Sequence, residues 1–212
     1  MIYLASVALN HYSPGLPPKP VLHSTSIALP TDRPMAVLAP TRSDRAAFLR
    51  LLAGVELPSH GRVTTKLRLS PVVKNGVLFH RGMSIADNFR FFARLLNADE
   101  DKLLVVINSF CEFHDDWHGL TKDDEAERIR YAEIAMLSLL CFDCYLVEDI
   151  PQCSELIRQR FFDAAAERKA GIIFSANNIH LVRRFAECAV VLRDGELHPF
   201  SNVEEAVQFH EQ

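Results

Sequence analysis

Strand-like and helix-like segments alternate through the second half of this chain, and that alternation limits its fold more than any other feature. CYLVED reads as a buried strand, Ser154 to Arg168 as a helix and GIIFSAN as a strand. IHLVRRFAE then reads as a helix, CAVVLRDGEL as a hairpin and VEEAVQFH as a last helix. Short apolar runs rich in β-branched residues, separated by segments with helical spacing, require an α/β core with a parallel sheet. The first third is mostly strands: IYLASVAL, VLHSTSIAL after the proline-rich SPGLPPKP, PMAVLA, then GRVTTKLRLSPVV and GVLF. AAFLRLLAG interrupts them with a helix that Gly54 ends. Residues 84–140 are helical without a break, in SIADNFRFFARLL, DEDKLLVVINSFCEF and DDEAERIRYAEIAMLSLL. The expectation is one domain, 1–212, with 1–83 and 141–212 as an α/β core lobe and 84–140 as an inserted helical lobe. The chain has no internal repeat and no low-complexity segment.

Composition excludes some classes. With 49% hydrophobic and 24% charged residues the chain is an ordinary globular one, and 212 residues give ample core. A formal charge of −4 exerts no global pull toward nucleic acid or anionic lipid. No apolar run approaches the ~20 residues that span a bilayer, and MIYLASVALNHYS lacks a signal-peptide pattern. The expected location is the cytoplasm. Five cysteines, an odd number, fit reduced thiols better than a disulfide framework. Cys141 and Cys144 have CxxC spacing, readable as buried small apolar residues or as a redox or metal pair. His114 and His118, in HDDWH, read as a surface loop or as two metal ligands without a second pair.

LAPTRSDRAAFLRLLAGVELPSHGRV, Leu38 to Val63, has the outline of a phosphate-binding loop running into a helix. With FLRLLAGVELPSHGRV, SIADNFRFFARLL, FDCYLVED and SANNIHLVRRFAECAVVLRDGEL in order, the chain resembles the nucleotide-binding subunit of an ABC transporter. It looks most like the small capsular-polysaccharide-export ATPases, over nearly its whole length. The resemblance implies a P-loop NTPase core with a mixed sheet, an antiparallel β portion at its N-terminal end and an inserted helical lobe. It also implies proximity to the inner face of a membrane, through a partner.

The family's site positions depart from pattern one after another. The loop G-x-x-x-x-G-K-[ST] uses glycines for close backbone approach, Lys for phosphate and a hydroxyl for Mg²⁺. Here Ala39 stands first, Pro40 to Ser43 (Arg42 among them) follow, and Asp44, Arg45, Ala46 and Ala47 complete the loop. Asp44 brings a carboxylate to the phosphate position, Arg45 puts a broad guanidinium for a slim ammonium, and the alanines remove the hydroxyl. The acidic pair ending CYLVED is inverted, Glu148 then Asp149, which displaces each carboxylate by about one methylene, ~1.5 Å. The switch histidine falls at Asn177 and the metal-sensing glutamine near His80. Glu125, Ala126, Glu127 and Arg128 replace the Ser-Gly signature turn at a helix start. Tyr12 is a remnant of the adenine-stacking aromatic.

A chain that has lost both the phosphate loop and the signature spoils its own site and its partner's. The expected function is therefore a catalytically silent, ABC-ATPase-like partner or regulatory subunit for a polysaccharide or glycolipid export or assembly system. No cofactor and no metal are expected; ATP and Mg²⁺ would bind only on the alternatives. One alternative is a nucleotide-binding subunit that hydrolyses weakly or not at all, using Tyr12 and Arg45. Another is an unconventional ATPase using Arg45, Glu148 and Asp149. Expected partners are a permease, a related ATPase or a polysaccharide assembly protein; a homodimer is allowed, and nucleic acid is not expected. Phe79, His80, Met83, Phe89, Phe91 and Phe92 read as helical packing, Phe89 and Phe92 above all, or in part as a docking patch. Arg158, Arg160, Arg183 and Arg184 read as solvated helix faces or an anion site.

Overall fold

The computed structural model describes residues 1–12, 15, 17–73, 79–80, 82–95, 97, 99–111, 122–149 and 153–212. The described residues divide into two compact units. One comprises Met1–Val73, Phe142–Ile150 and Ala165–Gln212; the other comprises Lys74–Cys141 and Pro151–Ala164.

The first unit contains two sheets. β1 (Ile2–His11) lies between β2 (Lys19–Leu29) and β4 (His60–Thr64) in an antiparallel sheet. Period-two alternation sets its register: Ile2 and Leu4 turn inward while Tyr3 and Ala5 turn out. A bulge at Ser6, with φ of 49°, resets the phase so that Val7 and Leu9 again face the core. Opposite the bulge stands Gly61, where a Cβ would lie 2.2 Å from the Ser6 carbonyl oxygen. The second sheet has six strands in the order β5-β6-β7-β3-β8-β9. These are β3 (Met35–Leu38), β5 (Leu69–Val73), β6 (Cys144–Val147), β7 (Gly171–Ser175), β8 (Cys188–Arg193) and β9 (Glu196–Phe200). All pairs are parallel except the β8–β9 hairpin. Its central strands are buried throughout and apolar but for Ser175, as a sheet covered on both faces demands. Helix α1 (Arg42–Leu52) presents Phe48, Leu49 and Leu51 to the core shared by Leu9 and Leu22 of one sheet and Leu146, Ile173 and Val190 of the other. The His23 N–H donates to the Gly195 carbonyl at 2.7 Å, tying β2 to the β8–β9 turn. Helices α6 (Ile179–Phe185) and α7 (Val203–Glu211) complete the unit.

The second unit holds α2 (Ile85–Leu95), α3 (Glu100–Cys111) and α4 (Lys122–Leu139). Its core is Phe79, Phe89, Phe92, Ile107 and Met136, with the Phe79 and Phe89 rings edge to face at 5.3 Å. Helix α5 (Glu155–Glu167) follows β6. No helix among the described residues is long and apolar enough to cross a membrane.

The α/β architecture, with its antiparallel N-terminal portion, mixed sheet and helical section, is the one the sequence predicts. Of the strand expected at GVLF, only Phe79 is described.

Candidate functional site

Parallel strands deliver their C-terminal ends to one edge of the sheet, the usual place for a ligand in an α/β fold. Here β3, β7 and β6 are neighbours and bring Ala39, Asn177, Glu148 and Asp149 to the start of α1. Every residue of this cluster belongs to the first unit.

The connection from β3 to α1 is only Ala39, Pro40 and Thr41, because the helix already begins at Arg42. Thr41 is its N-cap: its Oγ1 accepts the Asp44 N–H at 3.1 Å and donates to Asp44 Oδ2 at 2.7 Å. This reciprocal pairing consumes an orphan N–H and places a carboxylate against the positive end of the helix dipole. Six residues of the expected loop, Arg42 to Ala47, are wound into helix.

Both arginines of the first turns point to acids. Arg42, although largely exposed, places Nε 2.6 Å from Asp149 Oδ2 and Nη2 4.0 Å from Glu148 Oε1. Arg45 is buried, and its Nη1 donates to the Ala39 carbonyl at 3.1 Å. Its Nη2 donates to Asn177 Oδ1 and lies 3.9 Å from Asp149 Oδ1. Burial lowers the Arg45 pKa below its ordinary value, with Arg42 adding to the effect while Asp149, Asp44 and Glu148 oppose it. The guanidinium keeps its charge at neutral pH. Arg45 Nε and Asp149 Oδ1 are buried without a hydrogen-bond partner. Asp149 itself sits at φ 50°, its N–H donating to Ser175 Oγ at 3.0 Å, while the Glu148 N–H donates to the Val73 carbonyl at 2.7 Å. Backbone contacts from neighbouring strands therefore aim both acids at the arginines.

The structure brings Ala39, Arg42, Asp44, Arg45, Glu148, Asp149 and Asn177 together. Ala46 and Ala47 follow on α1, buried as core residues. Tyr12 is exposed beyond β1. His80 is described with the second unit, where its N–H donates to Asn88 Oδ1 at 2.8 Å and its Nδ1 accepts the Gly82 N–H at 3.2 Å. Glu125 to Arg128 are helical within α4, but their side chains lie outside the described residues, as do His114 and His118 entirely. Phe79, Phe89 and Phe92 are core, whereas Met83 and Phe91 are exposed. Arg183 donates to both oxygens of Glu204, and Arg160 to the carbonyls of Ser109 and Phe110. Neither is a spare cation for an anion. Burial pushes the Cys111 and Cys144 thiols up to about 12, and all five cysteines are free. Cys144 is therefore inert, as its apolar strand suggests.

Sequence reasoning missed two features. The Thr41–Asp44 pair was available as T-x-x-D at a helix start. His210 was not: α7 brings it close enough to Arg45 and Arg193 for both to lower its pKa, behind burial as the main cause.

No protein-family model matches the chain. It is 26% identical to the ATP-binding protein BexA of Haemophilus influenzae over 199 residues, which cover 91% of this chain and 90% of that protein. It is 22% identical to the capsule polysaccharide export ATP-binding protein CtrD of Neisseria meningitidis serogroup B, covering 90% and 89%. Against a polysialic acid transport ATP-binding protein KpsT of Escherichia coli the identity is 17%, covering 82% and 80%. Among solved structures, an ATP-binding subunit of an ABC transporter superposes with TM-score 0.74 at 13% identity, covering 99% of this chain and 93% of that one. A dimeric ATP-binding cassette in a post-hydrolysis state with ADP and Pi gives TM-score 0.71 at 14% identity, covering 95% and 99%. The fold is that of an ABC ATPase cassette, and the sequence relatives are ATP-binding proteins, among them one of capsule polysaccharide export and one of polysialic acid transport.

Proposed function

We propose that the chain is a catalytically silent ABC-ATPase-like subunit, a partner or regulatory component of a polysaccharide or glycolipid export or assembly system. One observation carries this reading: the cations and carboxylates at the sheet edge neutralise one another. Asp149 is engaged by Arg42 and approached by Arg45, and Arg45 is anchored to Ala39 and Asn177. A phosphoryl-transfer site needs the opposite arrangement, with a cation facing phosphate and a carboxylate facing Mg²⁺.

Magnesium nucleotide fits these residues poorly. Asp44 and Thr41 occupy the helix N-terminus that would receive phosphate, and a carboxylate there repels it. Ala46 and Ala47 offer no hydroxyl to a metal. Moving Arg42 or Arg45 onto phosphate would strand Asp149 and Glu148 beside an anion. The link to polysaccharide export rests on the relatives, which the chain matches along most of its length. A permease or a related ATPase is the expected partner. A nucleotide-binding, non-hydrolysing subunit is the second reading, favoured by the exposure of Tyr12.

Calorimetry with ATP and ADP, with and without Mg²⁺, tests the proposal. No heat of binding at millimolar nucleotide is expected. Mg²⁺-dependent binding without turnover would move the assignment to the second reading, and turnover would overturn both.

A further inference from the structure

Asp and Glu make up 27 of the 212 residues, yet none occurs in residues 1–31 or 57–86. All three strands of the antiparallel sheet lie inside those stretches. In a chain of net charge −4, one sheet is thus free of carboxylates on its strands, and the charge is segregated within the fold.

Register defines the outer face of that sheet. Tyr3 stands opposite Ala28 on one side and Thr64 on the other, and Ala5 opposite Arg62. Paired residues of an antiparallel ladder share a face, so Arg62 projects with Tyr3, which is 52% exposed. Lys66 lies two residues beyond the end of β4 and is exposed too. Among the described residues neither Arg62 nor Lys66 is in an ion pair. The acids that flank those stretches in sequence are taken: Asp32 lies 3.7 Å from Arg33, Glu56 3.0 Å from Arg50 and Asp87 3.0 Å from Arg90. Around Tyr3 the outward positions Ala5, Ala28 and Thr64 are small, and Lys19 and His60 are exposed on the same strands, which leaves a cationic face with one amphipathic aromatic on it.

We infer that this face rests on an anionic lipid surface. A protein partner is normally gripped by large apolar anchors filling pockets, and around Tyr3 the outward Ala5, Ala28 and Thr64 provide none. Lipid headgroups need only cations at the plane of contact and an aromatic at the polar–apolar boundary. Arg62 and Lys66 supply the first and Tyr3 the second. The attachment is electrostatic, weak and salt-sensitive, and it orients the chain with its three-stranded sheet against the headgroups. It holds whether or not the site on the other sheet accepts nucleotide.

Vesicle co-sedimentation of the full chain tests the assignment. Phosphatidylcholine vesicles are compared with vesicles containing roughly a third phosphatidylglycerol, at low salt and at about 0.5 M salt. Binding is expected on the anionic vesicles alone, lost in high salt and reduced at least about tenfold in Arg62→Glu/Lys66→Glu. Tyr3→Ser should weaken it further, whereas Lys102→Glu, an exposed charge on α3, should not. Circular dichroism confirms that each variant is folded. No binding by the wild-type chain, equal binding to neutral vesicles, or full binding by the folded double variant would overturn the inference. So would capture by poly-glutamate with no vesicle binding, which would assign the face to an acidic protein.

Discussion

Asp149 is the residue on which the sheet-edge cluster turns. It faces Arg42 at 2.6 Å and Arg45 at 3.9 Å, from a backbone conformation with positive φ. Asn tolerates that conformation better than most residues, so Asp149→Asn removes the charge and leaves the backbone alone. Removing one partner of a buried ion pair costs about 3–5 kcal/mol. Because the Arg42 end is exposed and screened, a loss of about 1–3 kcal/mol is expected here. Urea denaturation measures it, and an unchanged midpoint would mean that the cluster stabilises nothing. The composition of this cluster was legible in the sequence, since Asp44, Arg45, Glu148, Asp149 and Asn177 all fall at recognisable motif positions. Their pairing was not. A motif is read along the chain, whereas Arg42 meets Asp149 only because the strand order places the end of β6 near the start of α1.

At the scale of elements, strand and helix periods placed the described elements well, because buried strands and amphipathic helices carry strong local patterns. The starting point of α1 was harder. A family-style alignment keeps Pro40 to Ser43 as loop, but the Thr41 cap and the absence of glycine let the helix begin at Arg42. Close backbone approaches were also hidden. A Cβ on Gly171, at the head of β7, would lie 2.2 Å from the Thr31 carbonyl oxygen. Gly171→Ala must displace backbone, and a loss of about 1–3 kcal/mol is expected, as for other overpacked sites. An unchanged thermal midpoint would show that the β2–β3 connection yields freely. Helix α7 carries a pH dependence. Burial, Arg45 and Arg193 lower the His210 pKa, with Glu211 opposing them. The unfolded chain, with a histidine pKa near 6.5, therefore takes up the proton first. Stability should be full above that value and fall as pH drops through it toward the lower folded pKa. His210→Gln should flatten the slope between neutral and mildly acidic pH; an identical slope would place the titrating group elsewhere.

For the whole molecule, a ligand that binds only the folded state must stabilise it. At a hundred times its Kd, a nucleotide adds about 2.7 kcal/mol. In a chain of this size each kcal/mol raises Tm by about 2–4 °C, so a competent cassette would gain roughly 5–11 °C. This chain already has its sheet edge held by internal charges: Arg45 takes Ala39 and Asn177 as partners, Asp44 takes Thr41, and Asp149 takes Arg42. Nucleotide would have to displace several of these contacts before making any of its own, and each displaced charge would need a new partner near the added phosphate. The expected shift with millimolar ATP and Mg²⁺ is therefore under about 1 °C. The same absence of shift is expected in Asp149→Asn, because the wound first turn of α1 and the Asp44 carboxylate remain. A shift of several degrees in the wild-type chain would mean that the internal pairs open for nucleotide. A shift seen only in the variant would identify the arginine–aspartate bridge, rather than the helix start, as the barrier.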